Sequence, residues 1–219
     1  MKLASEQPEF IPYIGFFQKM YYADVFVLMD DVKFQGKSSY QRRNRIIKED
    51  GSNYWLTLPI PSGTRNLMIK DVQLGQWQEK NYKRVFRELS PIFGERKIKS
   101  IFDKENLLEI NSSLIKEIAA ILEIDTKIIL SSELNVYNSK QERLIEYCRK
   151  LGATEYVSGQ GARLGYLEDY PWPTDEIKLS YFEPFFESYS SIICYLKDSK
   201  GVEKAKYLIS ESSKLMVSK

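Results

Sequence analysis

Asp30 and Asp31 end the apolar run Val25-Phe26-Val27-Leu28-Met29. Two carboxylates at the end of a buried strand have three uses. They can cap the strand, ligate a ribose or a hard metal ion, or supply one carboxylate of raised pKa as a general base. The sequence leaves all three open. Upstream, Gln7 opens the stretch QPEFIP, in which Pro8 and Pro12 each lack an amide donor and fix their own φ, so the strand cannot continue. Gly15 follows at the start of a helical stretch, where a ligand can approach backbone amides that favour anions. Further on, Ser158-Gly159-Gln160-Gly161-Ala162-Arg163 reads either as a plain turn or as a phosphate cradle, its glycines freeing the amides and Arg163 binding bidentately. Arg42, Arg43 and Arg45, with Lys33 and Lys37 nearby, form either a solvated hairpin face or a diphosphate clamp.

Composition narrows the chemistry. The 219 residues contain no histidine. That removes Ser-His-Asp and Cys-His catalysis and almost all catalytic zinc or iron sites. Acid–base work falls to Asp, Glu, Lys, Tyr or Cys, and any metal must be a hard cation on oxygen, magnesium first. Two cysteines, Cys148 and Cys194, make neither a disulfide framework nor a zinc site. Cys148 lies on the apolar stripe of a helix and reads as core. A net charge of +2 is too close to neutral to argue for nucleic acid by itself, so nucleic acid is not the expected partner. With 43% hydrophobic and 28% charged residues the chain matches an ordinary globular protein. No apolar run reaches the roughly 18 residues of a membrane span, and the N-terminus lacks a signal-type apolar region. The expected location is the cytoplasm.

The elements that must position these groups read as follows. Leu3 to Gln7 is a strand, Ile14 to Tyr21 a helix and Val25 to Met29 a second strand, which makes a right-handed parallel βαβ unit. Asp-Gly within Glu49 to Ser52 joins the runs Arg43–Ile47 and Tyr54–Leu58 as a hairpin. With a short strand over Ile69 to Leu74, residues 32–74 form an inserted β-rich flap. Trp77 to Leu89 is helical and ends at Pro91 and Gly94. Asp103 caps a helix carrying Leu107, Ile110, Leu114, Ile118 and Ile121. Lys127–Leu130, ending in Ser131-Ser132, precedes a helix with a Ser139/Glu142 capping box and a Gly152 terminus. Ala153–Val157 completes a second βαβ unit. Helical turns follow over Arg163–Tyr166, Ser190–Leu196 and Val202–Ile209. Ile177–Phe182 is an edge strand, and the polar tail from 210 frays. The whole is one α/β, Rossmann-like domain with a mainly parallel sheet flanked by helices. Four strands then end in Gln7, Asp30-Asp31, Ser131-Ser132 and Ser158-Gly159, the layout of a nucleotide or nucleotide-sugar site. Neither GxGxxG nor the P-loop pattern is present, which argues against a nicotinamide dehydrogenase or a P-loop kinase.

Several stretches together resemble the WbqC-like family: QPEFIPYIGFFQ, ADVFVLMDDVKF, RRNRI at 42–46, WLTLPI at 55–60, SGQGARLGYL at 158–167 and SYSSIICYL at 188–196. The resemblance implies a role in O-antigen or other surface-polysaccharide biosynthesis. It suggests transfer of glycine or another small acyl group to an amino sugar, nucleotide-linked. The donor would need activation, either as an adenylate made from ATP with magnesium or as a pre-activated donor supplied by another protein, and the cofactor stays unknown. The matched positions are Gln7, Pro8, Pro12, Gly15, Gln18, Asp30, Asp31, Arg43, Asn44, Ser158, Gly159, Gly161 and Arg163. Of these, Asp30 and Asp31 are the catalytic candidates, and all the others except Pro8 would bind substrate or nucleotide. The implied partners are a small-molecule substrate and other enzymes of such a pathway. Two departures stand out. The family usually has an aromatic where this chain has Glu9, and often an aspartate where it has Cys194. The first βαβ unit also looks distantly like the HxGH nucleotidyltransferases, without their histidines. A non-enzymatic nucleotide-sugar binder and a nucleic-acid-binding module are the alternatives.

Overall fold

The computed structural model describes residues 1–48, 50–138, 140–159, 162, 167, 169–182, 190–212 and 216–218. Strand β1 (Lys2–Glu6) leads into helix α1 (Ile14–Tyr22) and strand β2 (Val25–Leu28). A separate antiparallel hairpin, β3 (Arg43–Ile47) and β4 (Asn53–Thr57), follows. Helices α2 (Glu79–Phe93), α3 (Glu95–Phe102) and α4 (Leu107–Ile121) precede β5 (Lys127–Leu130) and α5 (Lys140–Leu151). The chain then returns to the sheet as β6 (Glu155–Gly159) and β7 (Lys178–Phe182), and ends with α6 (Ser199–Ser212) and β8 (Met216–Ser218). The sheet order is β5-β2-β1-β6-β7-β8, with all pairs parallel except β7–β8. Counted along the chain, the parallel strands run 3-2-1-4-5, the doubly wound order.

Residue periodicity explains this layering. β2 is buried at every position because helices cover both faces of the sheet. On one face Ala4, Phe26, Leu28, Val157 and Phe182 pack with Phe17 and Met20 of α1, Leu114 of α4 and Leu208 of α6. On the other, Leu3, Val25, Val27, Tyr156 and Leu179 pack with Leu144, Tyr147 and Cys148 of α5. Burial pushes the Cys148 thiol up to about 12, as a core cysteine requires. The hairpin turns as its Asp-Gly predicts: Gly51 has φ +77° and Asp50 accepts from the Ser52 amide at 2.8 Å.

Several boundaries differ from the sequence reading. Ile69 to Leu74 is not a strand. Ile69 donates to the Val32 carbonyl and Leu74 to that of Glu105, so no single neighbour offers a ladder, and Ile69–Asp71 closes into a 3-10 turn. Pro91 lies inside the last turn of α2, where a missing amide forfeits one bond, and Gly94 ends the helix with φ +84°. Asp103 terminates α3; the cap of α4 is Asn106, whose side chain accepts from the Glu109 amide at 3.1 Å. β7 is interior, because residues 216–218 of the polar tail pair along its outer side. Near Ser190 only a 3-10 turn forms, at Ile192–Cys194. Ser139 of the expected capping box and the 163–166 turn lie outside the described residues.

Candidate functional site

Parallel pairing brings the carboxyl ends of β5, β2, β1 and β6 to one edge, in that order. Ser131-Ser132, Asp30-Asp31, Gln7 and Ser158-Gly159 therefore share that edge. The strand order reverses between β1 and β6, and open α/β sheets bind ligands in the crevice at such a switch point.

The loop after β1 is held by buried amides from three directions. Asn44 of β3 donates to the Ile11 carbonyl at 2.9 Å and the Phe10 carbonyl at 3.4 Å. Asn111 of α4 donates to the Pro8 carbonyl at 2.9 Å and the Gln41 carbonyl at 2.7 Å. The Ser191 hydroxyl donates to Ile11 at 2.7 Å, and the Ile192 amide to Pro12 at 2.8 Å. Gln41 donates to the Gln7 side chain at 2.6 Å while accepting from the Gln35 amide at 2.8 Å. Within this clamp Ile11 is fully buried at φ +42°. A β-branched residue there is strained by about 1–3 kcal/mol, tolerated only because the surroundings over-determine it.

Asp30 is 1% exposed and accepts from the Ser131 hydroxyl (2.9 Å), the Ser132 amide (2.9 Å) and the Ser132 hydroxyl (2.7 Å). Asp31 meets Arg143 of α5 at 2.8 Å and also lies within hydrogen-bond reach of the Ser131 hydroxyl. The two carboxylates thus join the end of β2 to that of β5 and to α5. Ser158 is buried in β6, on the same sheet face as Ser5. A Cβ built on Gly159 would meet none of the described residues within 4 Å.

Other expected site residues are elsewhere. Gly15 is buried in the first turn of α1, and Gln18 donates to the Leu208 carbonyl at 3.0 Å, tying α1 to α6. Asn44 faces inward on the hairpin. Arg43 faces outward: its guanidinium lies 4.3 Å over the Trp55 ring, and its Nε has no partner among the described residues. Beside it Arg42 donates to the Leu58 carbonyl at 2.9 and 3.2 Å; burial first, then the Arg43 charge, lowers its pKa. Gly161 and Arg163 lie outside the described residues. The described residues hold no group of three or more candidate metal ligands. No helix among the described residues is long and apolar enough to cross a membrane. A shallow depression of ≈ 450 Å³ on α2 is lined by Glu79, Lys80, Lys83, Arg84 and Arg87 alone. It is a solvated helix face and takes nothing from the strand ends.

One charged group escaped the sequence reading. Lys19 of α1, 4% exposed, donates to the Ser5 carbonyl at 3.0 Å and to the Glu6 carboxylate, at the end of β1. Glu9 faces this pair from the loop. Its Oε2 is shielded from solvent and has no partner among the described residues. Burial, then the Glu6 charge, pushes its carboxyl up to about 8, against the pull of Lys19. The legible signals were Lys19, a lysine within the helical stretch of the first βαβ unit, and the departure from an aromatic at Glu9.

Sheet order and the clamped loop after β1 define a doubly wound α/β protein. The chain belongs to the WbqC-like protein family, whose model matches residues 7–194. It is similar to a protein of Mycobacterium tuberculosis (strain ATCC 25618 / H37Rv) named Uncharacterized protein Rv1507c, with 29% identity over 198 residues, covering 83% of this chain and 82% of that one. No solved structure matches.

Proposed function

We propose that this protein is a transferase of surface-polysaccharide biosynthesis, such as that of O-antigen. It joins a glycine-like amino acid or other small acyl group to an amino sugar carried on a nucleotide. The observation that carries the reading is the convergence of four polar strand ends at the edge where the strand order reverses. Family membership supports it through the amino-acid transfer suggested for such proteins. In this reading the nucleotide sugar occupies the crevice between β1 and β6, with Gln7, Ser158 and Gly159 at its floor. Arg43 and Arg163 hold phosphates, and amides about Gly15 and Gly161 face the charge that develops on the acyl oxygen. Pro12 and Asn44 fix the loop. Gln18 fixes α1. Asp30 and Asp31 serve the reaction by setting the strand ends, and in this reading Asp31 is also the carboxylate that meets magnesium brought by ATP. The acyl group reaches the site as an adenylate formed from ATP or pre-activated by a partner enzyme, in the cytoplasm.

The test incubates purified protein with ATP, magnesium, glycine and a panel of amino-sugar nucleotides, following pyrophosphate release and product mass. A mass gain on the sugar is the expected result. Neither signal, with ligand binding still saturable, would replace the reading with a non-enzymatic nucleotide-sugar binder. The engagement of Asp30 in three intramolecular hydrogen bonds favours that second reading. Binding that collapses with added salt would instead indicate nucleic acid.

A further inference from the structure

In the loop after β1, Glu9 is a half-buried charge-bearing side chain whose Oε2 has nothing to bond to among the described residues. Buried acceptors in folded proteins are almost always satisfied, so an orphan requires a reason. Its Oε2 is shielded from solvent without a donor among the described residues. The nearest cation, Lys19, is already engaged by Glu6 and the Ser5 carbonyl. Glu6 from β1 and Lys19 from α1 are the charged groups facing Glu9, and the effect of Glu6 exceeds that of Lys19. Continuing the β1–β6 register sets Glu6 beside Gly159. The orphan carboxyl, in the field of Glu6 and Lys19, thus belongs to the β1 end that borders the switch point.

We propose that Glu9 receives a primary amine: its carboxylate accepts a hydrogen bond from the ligand's ammonium group and then takes the proton that the nitrogen must lose to become a nucleophile. A primary ammonium supplies the donor that Oε2 lacks, and its charge replaces that of the Lys19 already neutralised. Binding ionises a carboxyl otherwise kept protonated up to about pH 8, so amine uptake at neutral pH expels one proton to solvent. A first proton then passes from nitrogen to Glu9. The freed lone pair forms the C–N bond to an activated acyl carbon, and the acyl C–O bond breaks with its electron pair leaving on phosphate. The second nitrogen proton goes to water as the adduct collapses. This rests on the transfer reading for its second half only, since the amine subsite stands without turnover.

The experiment uses the full chain labelled with ¹³C at the glutamate side-chain carboxyls. The Glu9 resonance is the one absent from Glu9→Gln or, should that variant not fold, from Glu9→Tyr, which carries the ring type usual in the family. At pH 7 the wild type is titrated with D-glucosamine, with N-acetyl-D-glucosamine and sodium chloride as controls. The expected result is a saturable move of the Glu9 resonance from the carboxylic-acid to the carboxylate position with glucosamine only. Glucosamine affinity should fall at least about tenfold in the variant, the equivalent of 1.4 kcal/mol. A resonance that ignores glucosamine, or follows sodium chloride equally, overturns the proposal. Amine binding without transfer in the incubation assay keeps the subsite and removes the transfer reading. Transfer that proceeds in Glu9→Gln with unchanged kcat/KM and pH profile removes the proton role.

Discussion

Replacing Glu9 with glutamine should make the protein more stable at alkaline pH. The carboxyl is raised from its ordinary 4.5 to about 8, by burial first and by Glu6 second. Below 4.5 both folded and unfolded chains hold the proton, and Glu9 contributes no pH dependence. Between 4.5 and about 8 the unfolded chain releases it while the folded chain keeps it. The unfolded state then binds fewer protons, so stability falls as pH rises, by up to about 1.4 kcal/mol per pH unit. The loss levels off above the folded pKa. The full span sets a ceiling of about 5 kcal/mol; solvent relaxation around a partly exposed residue discounts this to about 2–3 kcal/mol. Glutamine carries no proton and loses the slope. Urea unfolding of wild type and Glu9→Gln at a series of pH values between acid and mild alkali measures the difference directly, with Glu6 and Lys19 common to both. The two should be closest at acid pH and diverge in favour of the variant with rising pH. A difference that stays constant across the series would refute the argument that this carboxyl is held neutral.

Asn111→Ala should cost about 2–4 kcal/mol in urea unfolding, because the Pro8 and Gln41 carbonyls lose a shared buried donor. Combined with Asn44→Ala it should depart from additivity, since both side chains hold the same loop. Arg43→Ala, tested calorimetrically against nucleotide sugars, should weaken binding by about 1.5–3 kcal/mol if the outward guanidinium holds phosphate; unchanged affinity would assign Arg43 to its stack on Trp55 alone. Gly152→Ala should lower stability by about 1 kcal/mol in thermal unfolding. The position has φ +69° with open space around a Cβ, so the cost is conformational.

The sheet was legible because its strands are short apolar runs separated by helical periodicity, and because Pro8, Gly51 and Gly152 mark turns without tertiary help. Asn106 was missed as a cap because Asp103 is an equally good capping type, and only the path of the chain decides between them. The edge of β7 was misread since strand order is a non-local property. At the site, the shared edge of Gln7, Asp30, Ser131 and Ser158 followed from parallel pairing alone. What the sequence concealed was the division of labour. The engagement of Asp30 depends on two serines about a hundred positions away. The orphan state of Glu9 depends on Lys19 choosing Glu6. Asn111 sits within an apolar stripe, and a polar residue at such a position was the available hint of its role.

The central place of β1 has a consequence for synthesis. One flank of this strand pairs with β2 almost at once, but the other waits for β6, and Met1 meets Thr154 across 153 residues of chain. At about 5–20 residues per second the ribosome needs roughly 10–30 s to deliver that partner. Throughout that interval β1 presents a bare hydrogen-bonding edge, with apolar Leu3 and Ala4 beside it, to any other nascent copy. Strand β6 therefore closes an edge that has stood open since β1 was made. A ribosome stalled before β6 should hold a product that associates with its neighbours, whereas one stalled after β7 should not.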